Sequence, residues 1–343
     1  MKVGFIAPQS IAAVNGGVRT QALFTAKHLL QLGVDIEYIS PWDDLSALDI
    51  DLFHVFTASS ENAGIIARLH EQGEKIVLSP VLYSRRNASS INRLLSFEEM
   101  ISDINPGIRS EFGLKKEICS QADLLLPNTE AEAGLISKAF SISTSSIKVI
   151  PNGVESRFAN SNPELFEEET GLKDFVLFVG QASAARKNVE SLIKAFRNID
   201  KQLVIIGDFS NSEYSQRCLS LVKENPHIHL LDTVEHDSEL LSSAYAACKV
   251  FVLPSHFETP GISAMEAALA GANIVITEAG GTKEYFQHYA EYISPSIINS
   301  ITQGINKALT KPKSDALRDH ILDNYTWDKV AQKTLEQYKE VVS

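Results

Sequence analysis

Cysteine is scarce in this sequence. The 343-residue chain has three cysteines, Cys119, Cys218 and Cys248, which lie far apart and form no Cys-x-x-Cys pair. A disulfide framework needs an even set of cysteines, and a structural zinc site needs thiols in close pairs. Neither is expected, and the pattern fits a reduced, cytoplasmic setting.

Long apolar runs and an excess of basic charge are also missing. No uncharged apolar run reaches the roughly 18 residues of a membrane-spanning helix, and the opening MKVGFIAP lacks the longer apolar core of a signal peptide. The formal charge is −12, whereas a nonspecific nucleic-acid binder needs basic surface to replace counterions. We expect a cytoplasmic protein with no nucleic-acid partner, which at most rests on the inner face of a membrane.

Internal repeats and low-complexity tracts are absent as well. The sequence instead alternates short aliphatic runs with longer helical patterns. The runs that we interpret as strands are KVGFIA, DIEYIS, DLFHVF, KIVLSP, ADLLLP, IKVIPN, FVLFVG, QLVIIGD, HIHLLD, KVFVLP and ANIVIT. They are apolar nearly from end to end, as buried parallel strands are. The alternation predicts an α/β fold of parallel sheets with helices on both faces.

The polar stretch NGVESRFANSNPELFEEETGLKD separates two such halves. We predict a linker at 156–171 between a Rossmann-like domain at 1–155 and a second one at 172–325. Two such domains would face each other across a cleft. The carboxyl ends of the strands would line that cleft, where open α/β sheets bind ligands.

Two glycines, Gly16 and Gly17, precede an amphipathic helix in VNGGVRTQALFTAKHLL. Glycine lets a ligand approach the backbone closely, and a helix N-terminus offers unpaired N–H groups and positive partial charge. A tight turn would use the same residues, and the stretch is not a full G-x-G-x-x-G. On this stretch alone, the tight turn is the favoured interpretation.

Two cations, Arg186 and Lys187, stand just before a helix that is expected to begin at Asn188 in VGQASAARKNVESLIKAF. Cations are unfavourable there because that end of a helix already carries positive partial charge. An anionic ligand would resolve the conflict. Side chains that simply point into water, as most Lys and Arg do, would avoid it.

The stretch PSHFETPGISAMEAALAG holds two glutamates with seven residues between them. Glu258 is expected on the loop after the strand KVFVLP, where it can project at a ligand, and Glu266 on a helix from Gly261 to about Ala270. This helix is apolar on almost every side, so a buried Glu266 with a partner is favoured over an exposed one. Ribose hydroxyls are suitable donors for such a carboxylate. Cations for phosphates and carboxylates for hydroxyls together suit a nucleoside diphosphate that carries a sugar.

With these motifs the sequence resembles the family 4 retaining glycosyltransferases, whose GT-B fold consists of two facing Rossmann-like domains. PSHFETPGISAMEAALAG is similar to the family's Glu-x7-Glu signature. Other matching stretches, in chain order, are KVIPNGVE, LVIIGD, SAYAACKVFVLPS, EAGGTKEYF and YTWDKVAQKTLEQYKEV. The last is similar to the family's final helix, which implies that residues 326–343 cross back onto the N-terminal domain.

The resemblance implies that a sugar moves from a nucleoside-diphosphate sugar to a hydroxyl of a glycan or lipid-linked acceptor, with its anomeric configuration retained. Such a reaction suits the synthesis of bacterial surface polysaccharide. Lys187 would neutralise the donor diphosphate, and Glu258 would hold sugar hydroxyls near the reacting carbon. The resemblance implies further donor-binding residues, namely Glu266 at the ribose, Gly261 and Ile262 at a phosphate, Gly16 and Gly17 in the N-terminal domain, and Arg186.

The acceptor is expected to enter over the N-terminal domain, with Arg19, Arg85 and Arg86 as candidate contacts. The stretches SRRNASSINRLL and GLKKEIC also carry Arg93, Lys115 and Lys116. These cations could meet a lipid-linked phosphate or an anionic membrane face. Solvated helix faces would show the same pattern, so the two interpretations stand side by side.

The sequence departs from the family pattern at three places. Gln181 stands where the family usually has Arg, and Arg186 is the candidate replacement. Glu258 is followed by Thr-Pro-Gly rather than Gly-Phe-Gly, so the identity of the donor sugar does not carry over. The stretch VLSPVLYSRR has no histidine after the fourth strand. His54 lies on an apolar strand, and we interpret it as structural.

The sequence offers no persuasive Asp-x-Asp metal motif, so we predict that the protein needs no metal or other cofactor and that the leaving phosphate accepts the acceptor's proton. Other GT-B enzymes are alternatives. Nucleotide-sugar epimerases lack this Glu-x7-Glu context, and sugar phosphorylases need a cofactor lysine that the sequence does not offer. A further alternative is a noncatalytic partner that binds a nucleotide sugar for another transferase, which the missing Arg and His would explain.

Overall fold

The structure is a computed structural model that describes residues 1–13, 16–84, 86–102 and 109–343. The chain divides into two compact units. The first unit contains Met1–Gly153 and Trp327–Ser343, and the second contains Val154–Thr326.

The first unit is built on a parallel sheet with the strand order β2-β1-β3-β4-β5. The strands are β1 (Lys2–Ile6), β2 (Asp35–Tyr38), β3 (Leu52–Phe56), β4 (Ile76–Ser79) and β5 (Leu124–Leu125). The helices that connect them are α1 (Gly17–Gln31), α2 (Ser60–Gln72), α3 (Ala88–Ser102), α4 (Glu111–Ser120) and α5 (Glu130–Phe140). Every residue of β3 and β4 is buried, which explains why both strands are apolar in the sequence except at His54 and Ser79.

The C-terminal helix of the chain belongs to this first unit, as the resemblance implied. It packs against α1, and we number it α14 (Trp327–Val342). Trp327 stacks on Phe24 with 5.6 Å between ring centroids. Tyr338 reaches the middle of β3, where its hydroxyl lies 2.5 Å from Nδ1 of His54. Aromatic side chains therefore fix the returning helix on the unit that begins the chain.

The second unit is built on a parallel sheet with the order β11-β10-β9-β6-β7-β8. Its strands are β6 (Val176–Val179), β7 (Leu203–Ile206), β8 (Ile228–Leu231), β9 (Val250–Leu253), β10 (Asn273–Thr277) and β11 (Glu291–Ile293). Its helices are α6 (Glu164–Thr170), α7 (Val189–Ala195), α8 (Glu213–Lys223), α9 (Glu239–Ala247), α10 (Ile262–Leu269), α11 (Thr282–Phe286), α12 (Ile298–Thr310) and α13 (Asp315–Asn324). Counted from its first strand, this order is that of the Rossmann fold. The predicted α/β class with two Rossmann-like domains is confirmed.

The structure differs from the prediction at three segments. IKVIPN forms no strand: Ile147 makes only an isolated bridge to Leu125, and the neighbouring prolines cannot donate to a ladder. β11 was not among the predicted strands. Residues 156–171, predicted as a linker, lie within the second unit, where Phe158 and Phe166 are fully buried and α6 packs on α9. The polar composition of this stretch hides the two aromatic anchors that attach it to the core.

Candidate active site

The second unit has a topological switch point between β6 and β9. These strands are neighbours, and the later strands extend from β6 on one side and from β9 on the other. In open α/β sheets, the crevice outside the carboxyl ends of the strands at such a point is where ligands bind. The loop after β6 carries Arg186 and Lys187, and the loop after β9 carries Glu258. The fold therefore brings the predicted cations and the first predicted carboxylate to the expected place.

Three side chains converge on one oxygen of Glu258. Lys187 Nζ donates to Oε1 at 2.6 Å, and Ser255 Oγ donates to the same atom at 2.6 Å. Arg186 Nη1 lies 3.8 Å from it. The side chains of Glu258 and Lys187 are 8% and 12% exposed, against 47% for Arg186. The carboxylate and the lysine thus form a shielded ion pair, and the arginine reaches it from the solvent side.

The backbone of Glu258 is held by the loop after β10. Its N–H donates to the carbonyl of Ala279 at 3.1 Å, and its carbonyl accepts from the N–H of Gly281 at 3.0 Å. Gly280 between them has φ 105°, and a Cβ there would lie 2.1 Å from the Glu258 carbonyl oxygen. Only glycine fits this close approach. The Gly-Gly of EAGGTKEYF is therefore the backbone support of Glu258.

Asn188 fixes the two cations from the other side. It is buried in the left-handed conformation, and its Nδ2 donates to the carbonyls of Pro254 at 3.0 Å and Pro295 at 2.8 Å. Arg186 and Lys187 lie on a 3-10 turn that ends at this residue, and α7 begins one residue later than predicted. The cations are thus held against the loop after β9 rather than stacked on the end of α7.

The helix α10 begins directly behind the Glu258 loop. Its N-cap, Gly261, has φ 88°, and a Cβ there would approach Leu253 Cδ2 to 2.9 Å. Both backbone conformation and packing therefore require glycine at this position. The predicted helix Gly261–Ala270 is observed as Ile262–Leu269. Because N–H groups in the first turn of a helix have no intrahelical acceptor, the amides beside Ile262 are suited to an anion.

Glu266 points into the interior from α10 and has two side-chain partners. The residue is 4% exposed. Its Oε2 accepts from the Tyr245 hydroxyl at 2.7 Å, and its Oε1 pairs with His236 Nε2 at 2.8 Å. Burial, followed by the nearby charge of Glu266, raises the pKa of Tyr245 well above its usual value. The phenol therefore stays protonated and serves as a fixed donor to the carboxylate.

His236 lies on the loop after β8, between two carboxylates. Its Nδ1 is 3.6 Å from Glu155 Oε2, while its Nε2 meets Glu266. Arg157 pairs with Glu155 at 3.1 Å and donates a hydrogen bond to the His236 carbonyl. The hydrogen bond to Glu266 raises the pKa of His236 above its ordinary value, while burial and the charge of Arg157 oppose the rise. The ring remains 42% exposed.

Candidate residues of the first unit lie near the start of α1. Gly16 is the N-cap of this helix in an extended conformation, and Gly17 is its first residue. Among the described residues, a Cβ on Gly17 would meet nothing within 4 Å, so their packing does not demand glycine there. Arg19, a predicted acceptor contact, donates from Nη1 to the carbonyl of Ile11 at 2.9 Å. Its guanidinium thus holds the 3-10 turn that precedes the helix, a contact that the sequence did not predict.

Basic residues on α3 and α4 are partly neutralised within the unit. Lys115 pairs with Glu111 at 2.5 Å, and Lys116 pairs with Glu99 at 2.6 Å. Arg86 is exposed, and Arg85 lies outside the described residues. In the ranges that the structure describes, no helix combines the length and apolarity needed to cross a bilayer.

Four residues of the site were not assigned a role from the sequence. Ser255 and Tyr245 both lie within the matching stretch SAYAACKVFVLPS, which could have marked them. Asn188 was interpreted only as the start of a helix. His236 has no local signal, because its contact with Glu266 depends on the tertiary fold.

His54, interpreted as structural, lies buried between the Tyr338 hydroxyl and Ser79 Oγ, the latter at 2.9 Å from Nε2. Burial lowers the pKa of His54 to about 3. The imidazole is therefore neutral at physiological pH and links α14 to the middle of β3 and to the end of β4. These contacts agree with a structural role.

Comparison with known protein families gives a match in the second unit. Residues 163–324 match the sequence model of the family described as Glycosyl transferases group 1. This range includes Lys187, Glu258, Glu266, Tyr245 and His236. The residues that surround the switch point therefore all fall within the matched region.

An uncharacterized glycosyltransferase of Methanocaldococcus jannaschii is 28% identical over 249 residues, which are 66% of this chain and 57% of that protein. The chain thus aligns with little more than half of this relative. Sucrose-phosphate synthase from Thermosynechococcus elongatus has a TM-score of 0.78 at 17% identity, covering 99% of both chains. Anabaena HepE in complex with UDP-glucose has a TM-score of 0.69 at 15% identity, covering 99% of this chain and 100% of that one. The structural likenesses show a GT-B fold, and the sequence likenesses support a glycosyltransferase enzyme.

Proposed function

We propose that the protein is a retaining glycosyltransferase of the family 4 type, which moves a sugar from a nucleoside-diphosphate sugar to a hydroxyl. The observation that carries the proposal is the pairing of Lys187 and Ser255 with Glu258 at the switch point, beside the first turn of α10. The region that contains this arrangement matches Glycosyl transferases group 1. HepE, a neighbour in fold, carries UDP-glucose, which makes a nucleotide sugar the natural ligand to test.

The donor diphosphate is assigned to Lys187 and to the first-turn amides of α10. An ammonium has three donors, so Lys187 can keep its bond to Glu258 and still donate to a phosphate oxygen. Arg186 Nη1 lies 3.8 Å from Glu258 Oε1. The two cations and the carboxylate together carry a net charge of +1, which favours the binding of an anion. As the bond to the sugar breaks, negative charge grows on the leaving oxygen, and preorganised donors aimed there lower the barrier.

The two carboxylates are assigned to hydroxyl groups. Among the described residues, Oε2 of Glu258 takes no further hydrogen bond, so it can accept from a sugar hydroxyl. Glu266 is assigned to the ribose, because a buried carboxylate that is already fixed by Tyr245 has spare lone pairs for further donors. In this scheme the leaving phosphate takes the proton of the acceptor, and neither a protein base nor a metal ion is needed.

The acceptor is assigned to the first unit and is a glycan or a lipid-linked saccharide, as in bacterial surface polysaccharide synthesis. Among the described residues, none comes within 4 Å of a Cβ placed on Gly17 at the start of α1. A peripheral contact with an anionic membrane would rest mainly on Arg86 and Arg93, because Lys115 and Lys116 already have acidic partners. Flotation with anionic vesicles, compared between the wild type and R86A/R93A, tests this extension.

A thermal-shift screen over nucleotide sugars, followed by product analysis, tests the proposed function. A ligand at 100 times its Kd stabilises the protein by roughly 2.7 kcal/mol, which a melt detects readily. The proposal expects one class, UDP- or GDP-linked, to raise the melting temperature and to be hydrolysed slowly without acceptor, also in the presence of a chelator. Binding without any turnover would favour a noncatalytic nucleotide-sugar-binding partner. No stabilisation by any nucleotide sugar would refute the donor site itself.

A further inference from the structure

His236 occupies the solvent side of the carboxylate that the proposed function assigns to the ribose. Glu266 has two partners, and Tyr245 is fully buried behind it, whereas the His236 side chain is 42% exposed. The side chain of Glu266 itself is only 5% exposed. A ligand hydroxyl that comes from solvent therefore meets the imidazole before it can reach the carboxylate.

The imidazole has a second carboxylate close by. Its Nδ1 lies 3.6 Å from Glu155 Oε2, beyond hydrogen-bond distance but within reach of a small rotation of the side chain. The backbone of His236 is anchored by the hydrogen bond from Arg157 to its carbonyl. A change of partner from Glu266 to Glu155 thus needs only a rotation of the side chain and no movement of the loop.

On this basis, and resting on the proposed function, we infer that His236 is a positioning residue. In the ligand-free protein it holds the carboxylate of Glu266. When the donor binds, the ribose replaces His236 at Glu266, and the imidazole turns to Glu155. The donor and the imidazole compete for Oε1 of the same carboxylate. The inference adds to the donor site a residue that sets donor affinity without belonging to the Glu-x7-Glu motif.

Competition of this kind makes donor affinity depend on pH. The charged groups that face the ring are Glu266 on α10, Glu155 and Arg157 on the segment before α6, while Tyr245 lies behind Glu266. Without ligand, protonated His236 is stabilised by both carboxylates, and with ligand by Glu155 alone. Donor binding therefore favours the deprotonated ring, and affinity rises as pH rises through the titration of His236. Linkage limits the change to about tenfold per pH unit for one proton.

The test is calorimetric titration of the full chain with UDP-glucose and GDP-mannose between about pH 6 and about pH 9, the range that spans histidine titration. Intact nucleotide sugars are used rather than free nucleoside diphosphates, because a diphosphate that is esterified at both ends has no ionisation of its own in this range. The wild type is expected to bind the accepted donor several-fold more tightly at the upper end and to release up to one proton on binding. His236→Gln keeps an N–H donor for Glu266 but cannot titrate, so its affinity and proton release should not vary with pH. His236→Ala should bind more tightly than the wild type at the acidic end.

The control variant is His227→Gln, which changes an exposed histidine at the other end of the sheet and should keep the wild-type pH dependence. The inference is overturned if the wild-type affinity is constant over this range, or if His236→Gln retains the same slope. It is also overturned if His236→Ala binds more weakly at every pH, because His236 would then be a direct ligand. If no nucleotide sugar of the thermal-shift screen binds at any pH while the protein remains folded, the proposed function fails and the inference with it.

Discussion

The ammonium of Lys187 lies 2.6 Å from Oε1 of Glu258, and the two residues are 71 positions apart in the chain. The contact joins the loops after β6 and β9, which are the two strands at the switch point of the second unit. It joins one basic and one acidic candidate residue, Lys187 and Glu258, in a shielded ion pair. The proposed chemistry depends on this pair, because it places a fixed cation where a leaving phosphate can use it.

Lys187→Ala should lower the turnover number by about 10²–10³-fold, since loss of one preorganised donor to a developing oxyanion has an effect of this size. Stability should fall as well, because a shielded Glu258 loses its partner. Lys194→Ala is the matched control: this lysine pairs with Glu190 on a more exposed surface and should leave turnover unchanged. Steady-state kinetics and a melting curve for each variant separate chemistry from folding. Near-normal turnover of a folded Lys187→Ala would remove the lysine from the mechanism.

Glu266→Gln should weaken donor binding by roughly 10- to 100-fold, because hydrogen bonds to a charged acceptor contribute about 1.5–3 kcal/mol. Tyr245→Phe serves as the comparison, since it removes the inner partner but leaves the carboxylate. It should cost about 1 kcal/mol of unfolding free energy and preserve most of the donor affinity. Calorimetric titration with the accepted nucleotide sugar measures both variants. Wild-type affinity in Glu266→Gln would show that the ribose binds elsewhere.

Gly17→Ala should preserve or raise the melting temperature while lowering activity. A Cβ at this position meets no atom of the described residues within 4 Å, and alanine is favoured over glycine in helices by up to about 1 kcal/mol. The same methyl group would intrude on a ligand that approaches the start of α1. Gly64→Ala on α2, where a Cβ also has open space, is the control and should gain stability without losing activity. Equal activity of the two variants would argue against a ligand at Gly17.

His54 should make the first unit sensitive to acid. The folded-state pKa of His54 is lowered to about 3, below its unfolded value of about 6.5. The unfolded chain therefore binds more protons between these values, and stability is lost as pH falls below about 6.5. Between about pH 7 and about pH 5 this group should remove about 2 kcal/mol of unfolding free energy.

Both tryptophans of the chain, Trp42 and Trp327, belong to the first unit, so denaturant unfolding followed by tryptophan fluorescence reports on the unit that contains His54. His54→Gln should be less stable overall, but its stability should depend less on pH. His227→Gln, which lies in the other unit, should keep the wild-type slope. An unchanged slope in His54→Gln would assign the acid sensitivity to other groups.

Much of the architecture could be predicted because buried parallel strands leave a simple record in the sequence. The runs that became β6, β7 and β9 are apolar from end to end, and burial on both faces of the sheet produces that pattern. Strand β11 has the sequence Glu-Tyr-Ile and only its last residue is buried, so it leaves no apolar run in the sequence. The segment 156–171 was misassigned because its acidic surface outweighs Phe158 and Phe166 in composition, although those two side chains determine where it packs.

The candidate site could be predicted residue by residue but not contact by contact. The Ala-rich surroundings of Glu266 indicated burial, and its exposed fraction of 4% agrees. Lys187 can pair with Glu258 because β6 and β9 are neighbours in the sheet. No local sequence motif indicates this strand order. The position of His236 between Glu155 and Glu266 likewise joins three separate segments. Such contacts follow from topology, so the sequence could name the participants without showing which of them meet.

A crystal structure of the complex with the accepted nucleotide sugar would show whether the donor binds as proposed. We expect the diphosphate within hydrogen-bond distance of Lys187 Nζ and of the first-turn amides of α10, with the ribose hydroxyls on Glu266 and the sugar beside Glu258. A diphosphate bound away from the switch point between β6 and β9, or a ribose that makes no contact with Glu266, would contradict this expectation.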